Sequence, residues 1–538
     1  MTLSKEQQIA FEKFKNGENL FISGPGGTGK THLIKEMVSY AKEQSTDIQV
    51  CAMTGCAALL LECSAKTIHS WSGIKRANKS IDDTCKDIAH SSYYKKSWKK
   101  TDILIVDEVS MMSAHIFEML NTIGKRLRKR MSEPFGGIQV IFVGDFYQLP
   151  PVSINEEDES KSQFCFQSTL WSDVFQKSNH VLLEHIFRQK DPQYKSILLE
   201  IREGNISEES INLLKQRVRK SEQDHVTIYP KKYSVDRKNE EMFAKLHEPI
   251  HDFNVRIDKE LTRIVETDKE FDDHQKFLSR NISKVGEEIE INYLLTGAPM
   301  TSRLCLKVGT RVMCTINKDL ALGICNGSQG IVTGFQEKSK IPIVKFDNGV
   351  TLPMDYHCWQ SEFCPRIAIY QIPIIWAWSI TIHKIQGATL DSGEMDVGGH
   401  IFEYGQTYVA LSRIRSLEGL YLSQFDASRI KANPIVKQFY EDLKLFKLQE
   451  TQETQETQEK QEKQETQESH KGVHGTNTTN TTNTTNTTNT TNTTTKNVKY
   501  KIIKIATNKS SKSNSHNKTP KLTDFWCNAN KNLNKNDK

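Results

Sequence analysis

At 538 residues the chain is longer than one hydrophobic core usually serves, so about two to four domains are expected. Its net charge of +6 is uneven: residues 496–538 hold eleven lysines against Asp524 and Asp537, a balance of +9, leaving −3 for everything before them. The eleven cysteines lack the paired C-x-x-C spacing of a structural zinc site, no apolar run reaches membrane-spanning length, and the first residues carry no apolar signal core. Structural zinc, membrane insertion and secretion are therefore not expected, and an intracellular protein is, in the nucleus or, if viral, in host cytoplasm.

From Asn19 onward, strand-like apolar runs alternate with helical segments: NLFIS, DIQVCAM, DILIVDE and IQVIFVGD are the strands. That rhythm predicts a parallel sheet covered by helices, a first α/β lobe over 1–179. VLLEHIF opens a second α/β lobe, 180–448, which continues through VTIYP and closes with YVALSRIRSLEGLYL. Inside it, at about 308–370, short strands with glycine turns (NGSQGIVTGF, PIVKFDNGVTLPM) predict an inserted small β-barrel. The charged, irregular stretch 250–293 reads as a loop-rich insertion with no assigned role. After Leu448 come TQE and NTT repeats, which cannot bury enough apolar surface to fold. They make 449–495 a linker to a disordered basic tail, 496–538. The tail reads equally as an electrostatic arm for nucleic acid or as a merely solvated end.

The chemistry concentrates in a few motifs. GPGGTGKT, comprising Gly24, Pro25, Gly26, Gly27, Thr28, Gly29, Lys30 and Thr31, follows a strand and precedes a helix. Backbone N–H groups of such a loop close around phosphates, Lys30 reaches the β- and γ-phosphates and Thr31 ligates Mg²⁺, so ATP and Mg²⁺ are the expected ligands. DILIVDEVSMM ends a buried strand on Asp107, suited to hold Mg²⁺, and Glu108, suited to orient an attacking water.

These two elements serve many unrelated ATPases, and further motifs narrow the choice. VGDFYQLPPV resembles the third helicase motif, which implies Gln148 as the γ-phosphate sensor. LSKEQQIAF resembles the adenine-recognition motif, with Gln7 at its glutamine. MTGCAALLLECSAKTIHSW resembles a DNA-contacting segment in which Thr54, Gly55, Thr67 and His69 lie along the strand; read alone, Thr54 is a helix start and His69 a core histidine. FEMLNTIGKRLRKRMSEPFGGIQVIF resembles the signature helix and FGG turn of the PIF family. IFRQKD places Arg188 and Gln189, and YVALSRIR places Arg413; in that family both arginines reach the γ-phosphate. PIIWAWSITIHKIQGATL resembles the fifth motif, with Thr381, His383 and Lys384 near DNA and Gln386 and Gly387 near the nucleotide. LKVGTRVMCTINKDLALGICNGSQGIV matches the opening of the family's inserted barrel. CSAKT departs from the glycine usual before the Thr-x-His pair.

The resemblance runs in the same motif order from Thr2 to Leu448 and is to PIF-family, RecD-like helicases of superfamily one. It implies two RecA-like lobes, an ATP-driven motor moving 5′ to 3′ on single-stranded or forked DNA, and work in replication, repair or recombination. Trp71 and Phe146 are candidates for stacking on bases. In the tail, KTPKLTDFWCN resembles the peptide that docks on sliding clamps, through Leu522, Phe525 and Trp526, although Thr519 stands where a glutamine is usual. Competing readings are a RecD-like recombination helicase or relaxase motor, a DNA-stimulated ATPase that clamps without unwinding, and a recruitment scaffold with a dead motor. Lys30, Asp107, Glu108 and Arg413 speak against the last.

Overall fold

The computed structural model describes residues 3–449 except 62, 64, 75–79, 152–162, 220–225, 261–281, 320, 362–363, 365 and 388. The repeats, the basic tail and the clamp-like Leu522, Phe525 and Trp526 lie outside the described residues. Strands β1 (Leu20–Ser23), β2 (Ile48–Ala52), β3 (Lys66–Thr67), β4 (Ile103–Asp107), β5 (Gln139–Gly144) and β6 (His180–Leu182) form one sheet in the order β3-β2-β4-β5-β1-β6. Every pair in it is parallel. Such a sheet is covered on both faces, which is why β1 and β4 are buried at every position. The period-2 alternation of strands sorts their side chains into two cores. Leu20, Ile22, Ile105 and Ile141 pack with Leu33, Ile34 and Met37 of the helix Lys30–Glu43. Phe21, Leu104, Val106 and Phe142 pack on the other side with Phe117, Leu120 and Ile123 of the helix Ala114–Arg128.

That second helix explains the FGG turn. Gly124 packs so closely on the turn that a Cβ there would sit 2.5 Å from the Phe135 carbonyl oxygen, and the Phe135 N–H donates to Asn121 Oδ1 at 2.8 Å. Phe135 is fully buried with φ +50°. The signature segment is thus a packing device under the first sheet.

Strand β7 (Thr227–Tyr229) begins a second parallel sheet, but antiparallel strands intervene before it is completed. They are β8 (His251–Asn254), β9 (Arg256–Asp258), β10 (Arg303–Leu306), β11 (Arg311–Cys314), β12 (Gln329–Phe335), β13 (Pro342–Phe346), β14 (Thr351–Pro353), β15 (His357–Gln360), β16 (Ala368–Gln371) and β17 (Ile374–Trp376). The sheet then resumes with β18 (Ser379–Thr381), β19 (Gly393–Val397) and β20 (Leu420–Phe425), in the order β18-β7-β19-β20. Its pairs are parallel, and Tyr194, Ile197, Ile201, Met395 and Val409 fill its core.

Three expectations are corrected. His180–Leu182, expected to open the second lobe, pairs with β1 (Phe21 opposite His180) and is the edge of the first sheet. The barrel expected at 308–370 is an open sheet: its hydrogen-bonded order among the described residues runs β14-β13-β12-β11-β17 without returning on itself. Its core also takes Phe253, Leu304 and Leu306 from before that range and Ile372 and Ile374 from after it. The stretch 250–293, expected to be loop-rich, supplies β8, β9 and most of the helix Lys284–Gly297 among its described residues; Phe253 of β8 is buried, while Ile257 of β9 is exposed. The last described helix returns to the first lobe, where Val436, Tyr440 and Leu443 join the core around Phe21. Among the described residues no helix is long and apolar enough to cross a membrane.

Candidate active site

In a parallel α/β sheet the strand C-termini all emerge on one edge, and loops there can surround a ligand. The phosphate loop leaves β1, Asp107 ends β4, and the loop holding Asp145 and Gln148 follows β5. Facing them are the segment 187–191 and the residues after β18 and β19. Together they line a cleft of about 820 Å³ that includes Gly26, Gly27, Gly29, Lys30, Thr31, Asp107, Glu108, Gln148, Arg188, Gly387 and Arg413. The structure thus brings together eleven of the residues singled out in the sequence, from widely separated motifs.

The loop needs its glycines. Gly27 and Gly29 have φ of +90° and +79°, the left-handed region that glycine enters at no steric cost. A Cβ on Gly27 would lie 2.6 Å from Arg188 Cβ. Lys30 Nζ donates to the Gly24 and Pro25 carbonyls at 2.7 and 3.0 Å. Desolvation pulls its pKa down, opposed by the carboxylates of Asp145, Glu108 and Asp107. Gln7 is buried against the loop: its Nε2 donates to Thr28 O at 3.1 Å, while its Oε1 takes the Ser4 N–H in a capping box.

Asp107 accepts the Glu108 N–H at 2.9 Å. Burial and the Glu108 charge raise its pKa to about 7, so a cation beside it is what restores full ionisation. Glu108 sits at φ +56°, ψ +41°, an uncommon place for a non-glycine residue, on the turn into a 3₁₀ segment. Across the cleft Gln386 Nε2 donates to Glu108 Oε2 at 3.0 Å. Arg413 is buried, with Nε donating to Val409 O and a terminal nitrogen to Ser412 Oγ. Arg188 donates to Ser412 O at 3.1 Å. Burial, then the nearby Arg413 charge, lowers the Arg188 pKa to about 9, and burial lowers that of Arg413. Two crowded, desolvated guanidiniums form a site that gains from an anion. Gln148 Oε1 is buried without a hydrogen-bond partner, an orphaned acceptor on the cleft wall. Thr31 and Asp107 offer hydroxyl and carboxylate oxygens beside the loop, the hard donors that suit Mg²⁺ together with phosphate oxygens.

The chain is similar to known proteins. The PIF1-like helicase family matches residues 2–212, and the DNA helicase Pif1 2B domain matches residues 291–335. The ATP-dependent DNA helicase PIF1 of Xenopus laevis is 33% identical over 451 residues, which are 82% of this chain and 64% of the relative. The chain belongs to the PIF1-like helicase family. It spans somewhat less than two thirds of that relative's length. The crystal structure of Pif1 helicase from Candida albicans superposes with a TM-score of 0.66 at 29% identity, covering 82% of this chain and 100% of that one. Bacteroides Pif1 in complex with ADP-AlF3 and single-stranded DNA gives 0.56 at 27% identity, covering 82% and 98%.

The expected DNA-contacting residues lie outside the cleft lining. Thr54 follows β2, Thr67 ends the neighbouring strand β3, and Thr381 ends β18. All three are helix N-caps, accepting the N–H groups of Ala57, Ser70 and Lys384. The helix-start reading of Thr54 therefore holds, and each hydroxyl keeps its own proton to donate. Gly55 faces the end of the helix Lys284–Gly297: a Cβ on it would sit 3.5 Å from Gly297 O. His69 is half-buried, which lowers its pKa, and His383 and Lys384 are exposed. Trp71 and Phe146 are corrected: they are only 3% and 1% exposed. Trp71 packs on Trp98 at 4.5 Å between centroids, and Phe146 stacks on Phe21 at 5.0 Å, so core packing has taken both rings.

Sequence reasoning missed several members of the site. The Tyr408 hydroxyl accepts the Gly26 N–H at 2.8 Å; its position in YVALSRIR, five residues before Arg413, was the available signal. Phe187, the residue before Arg188, is 46% exposed on the cleft wall beside Gly29. Arg202 forks onto Asp145 from outside any motif, and no sequence signal marked it.

Proposed function

We propose that the chain is an ATP-dependent DNA helicase that moves 5′ to 3′ on single-stranded DNA and unwinds duplex ahead of it. The observation that carries the reading is the cleft between two parallel sheets, with phosphate loop and acids on one wall and Arg188 and Arg413 on the other. Lys30 and the loop amides would hold the phosphates of ATP, and Gln7 would set the loop and meet adenine. Thr31 and Asp107 would hold Mg²⁺, which supplies charge neutralisation between the β- and γ-phosphates when bound. Glu108 would take a proton from the attacking water, with Gln148 reading the γ-phosphate. Arg188 and Arg413 would meet the charge that builds on the transferring phosphoryl group.

DNA would cross Thr54, Gly55, Thr67 and His69 on the first lobe and Thr381, His383 and Lys384 on the second. Its phosphates give most of the affinity and little sequence preference. Closure on ATP and reopening after hydrolysis would alternate the grip of the two lobes. The Bacteroides relative, bound to ADP-AlF3 and single-stranded DNA, supports the pairing of ligands. The reading extends to roles in DNA replication, repair or recombination, an intracellular place in nucleus or host cytoplasm, and a clamp contact through Leu522, Phe525 and Trp526. It also divides the chain into a first lobe that runs through β6 and a second lobe beyond it.

The test is unwinding of matched duplexes carrying a 5′ or a 3′ single-stranded tail, with Lys30→Ala as control. Unwinding from the 5′ tail alone, lost in the control, is expected. Activity only from the 3′ tail rejects the polarity, and DNA-stimulated hydrolysis without unwinding makes the protein a clamp.

A further inference from the structure

We infer that Gln386 is a positioning residue that couples DNA binding to hydrolysis by holding the carboxylate of Glu108. This deepens the functional reading above and rests on it. Gln386 lies on the second lobe, and its side chain crosses the cleft to reach Glu108 on the first. Gln386 is 8% exposed, while Glu108 is half-buried on the cleft wall. The acceptor is an acid whose backbone is already in the left-handed region, with the carboxylate oriented by that turn and by Gln386 from the opposite lobe. A hydrogen bond to a charged acceptor in such a place is about twice as strong as one between neutral groups.

The segment that carries Gln386 makes the contact more than local. Thr381 caps the 3₁₀ segment Ile382–Ile385, whose exposed His383 and Lys384 sit two and three residues before Gln386. The Gln386 N–H closes the segment on the His383 carbonyl at 3.3 Å. Ile382 and Ile385 are fixed in the core of the second lobe, with Ile380, Ala410 and Leu411. A single turn of helix is pinned by its apolar side, with His383 and Lys384 on its open side and the Glu108 contact at its end. Any shift of that turn on binding a DNA phosphate must move the amide that holds Glu108, because no flexible residue separates them. One element then reports strand engagement to the group that orients water.

The experiment is ATP hydrolysis by the full chain with and without oligo(dT), for wild type, Gln386→Met and Gln386→Asn. Methionine keeps the length and removes the donor; asparagine keeps the donor and shortens the reach. The expected result in both is that the ratio of DNA-stimulated to unstimulated kcat falls about tenfold. The KM for ATP and the affinity for oligo(dT) by anisotropy should stay within about twofold, because neither ligand is contacted by this amide in the coupling described. A stimulation ratio kept at the wild-type value overturns the inference, as does a loss of DNA affinity that accounts for the fall. A wild type whose hydrolysis DNA does not stimulate defeats the functional reading itself, and the inference with it.

Discussion

Arg202 and Asp145 form a charge pair under the loop that carries Gln148, and cutting it has a calculable effect. The guanidinium places Nε 3.0 Å from Asp145 Oδ2 and a terminal nitrogen 2.8 Å from Oδ1, with side chains 8% and 0% exposed. It also lies over the rings of Tyr147 and Tyr440, at 4.4 and 5.3 Å. Burial alone lowers an arginine pKa, but Asp145 overcomes it and the net shift is upward. Arg202→Met removes the counter-charge and leaves a carboxylate in a dry site, which costs about 3–5 kcal/mol. Asp145→Asn with Arg202→Met removes both charges, and the double variant is expected to be the more stable of the two, since no bare charge remains. The assay is urea unfolding of wild type, both single variants and the double variant, followed by tryptophan fluorescence from the aromatic core beneath β1, where Trp171 lies 5.4 Å from Phe21. A loss below about 1 kcal/mol in Arg202→Met, or additive losses in the double variant, refutes the argument.

Gly26→Val should keep nucleotide binding and lower hydrolysis at least about tenfold, because a Cβ there already meets Arg413 at 3.4 Å and Ser412 Oγ at 3.5 Å; fluorescent-nucleotide binding beside turnover checks it. Phe187→Ala should raise the KM for ATP by about two- to tenfold at constant kcat, the loss of one ring contact with a flat base. His180 accepts the Trp171 indole N–H at 3.0 Å and bonds Gln176 O at 2.9 Å, and burial lowers its pKa to about 4. The unfolded chain then binds the extra proton first, so this contribution to stability is whole above about pH 6.5 and is lost as pH falls towards 4, by at most about 3 kcal/mol. His180→Gln should flatten the stability profile over that window, and an unchanged profile would remove the assignment.

Much of the site was legible because its chemistry depends on residue type at fixed spacing. A loop that wraps phosphates needs Gly27 and Gly29, and a strand that delivers acids must end on them, so GPGGTGKT and LIVDE carried both position and role. What stayed hidden depends on pairings distant in sequence. Nothing in IREGN marks Arg202 as the partner of Asp145, which lies 57 residues away. Likewise β6 reads as the start of something new by order in the chain, yet hydrogen bonds with β1 decide its sheet. Periodicity failed between 250 and 306 because edge strands buried on one face for four residues or fewer leave almost no pattern. The aromatic candidates failed for another reason: Trp71 and Phe146 flank functional motifs, and a large ring there is worth more in the core than exposed to a passing strand.

The bonds between the lobes are not equal, and their inequality bears on which edge can move. Near Gln148 the join is a doubly hydrogen-bonded, buried charge pair backed by two tyrosine rings. Exposing a charge there costs several kcal/mol. At the mouth of the cleft the joins include a tyrosine hydroxyl on Gly26 N, the Gln386 amide on Glu108 and the Phe187 N–H on Gly27 O at 2.8 Å. Each is worth about 1–3 kcal/mol, and incoming phosphate and water can replace what is broken. Gly405 keeps the back edge tight, since a Cβ on it would lie 2.4 Å from Tyr147 O. A rotation that opened the mouth while pivoting near Asp145 would break these mouth bonds and draw Arg413 away from the phosphate loop, and it would leave the Arg202–Asp145 pair intact.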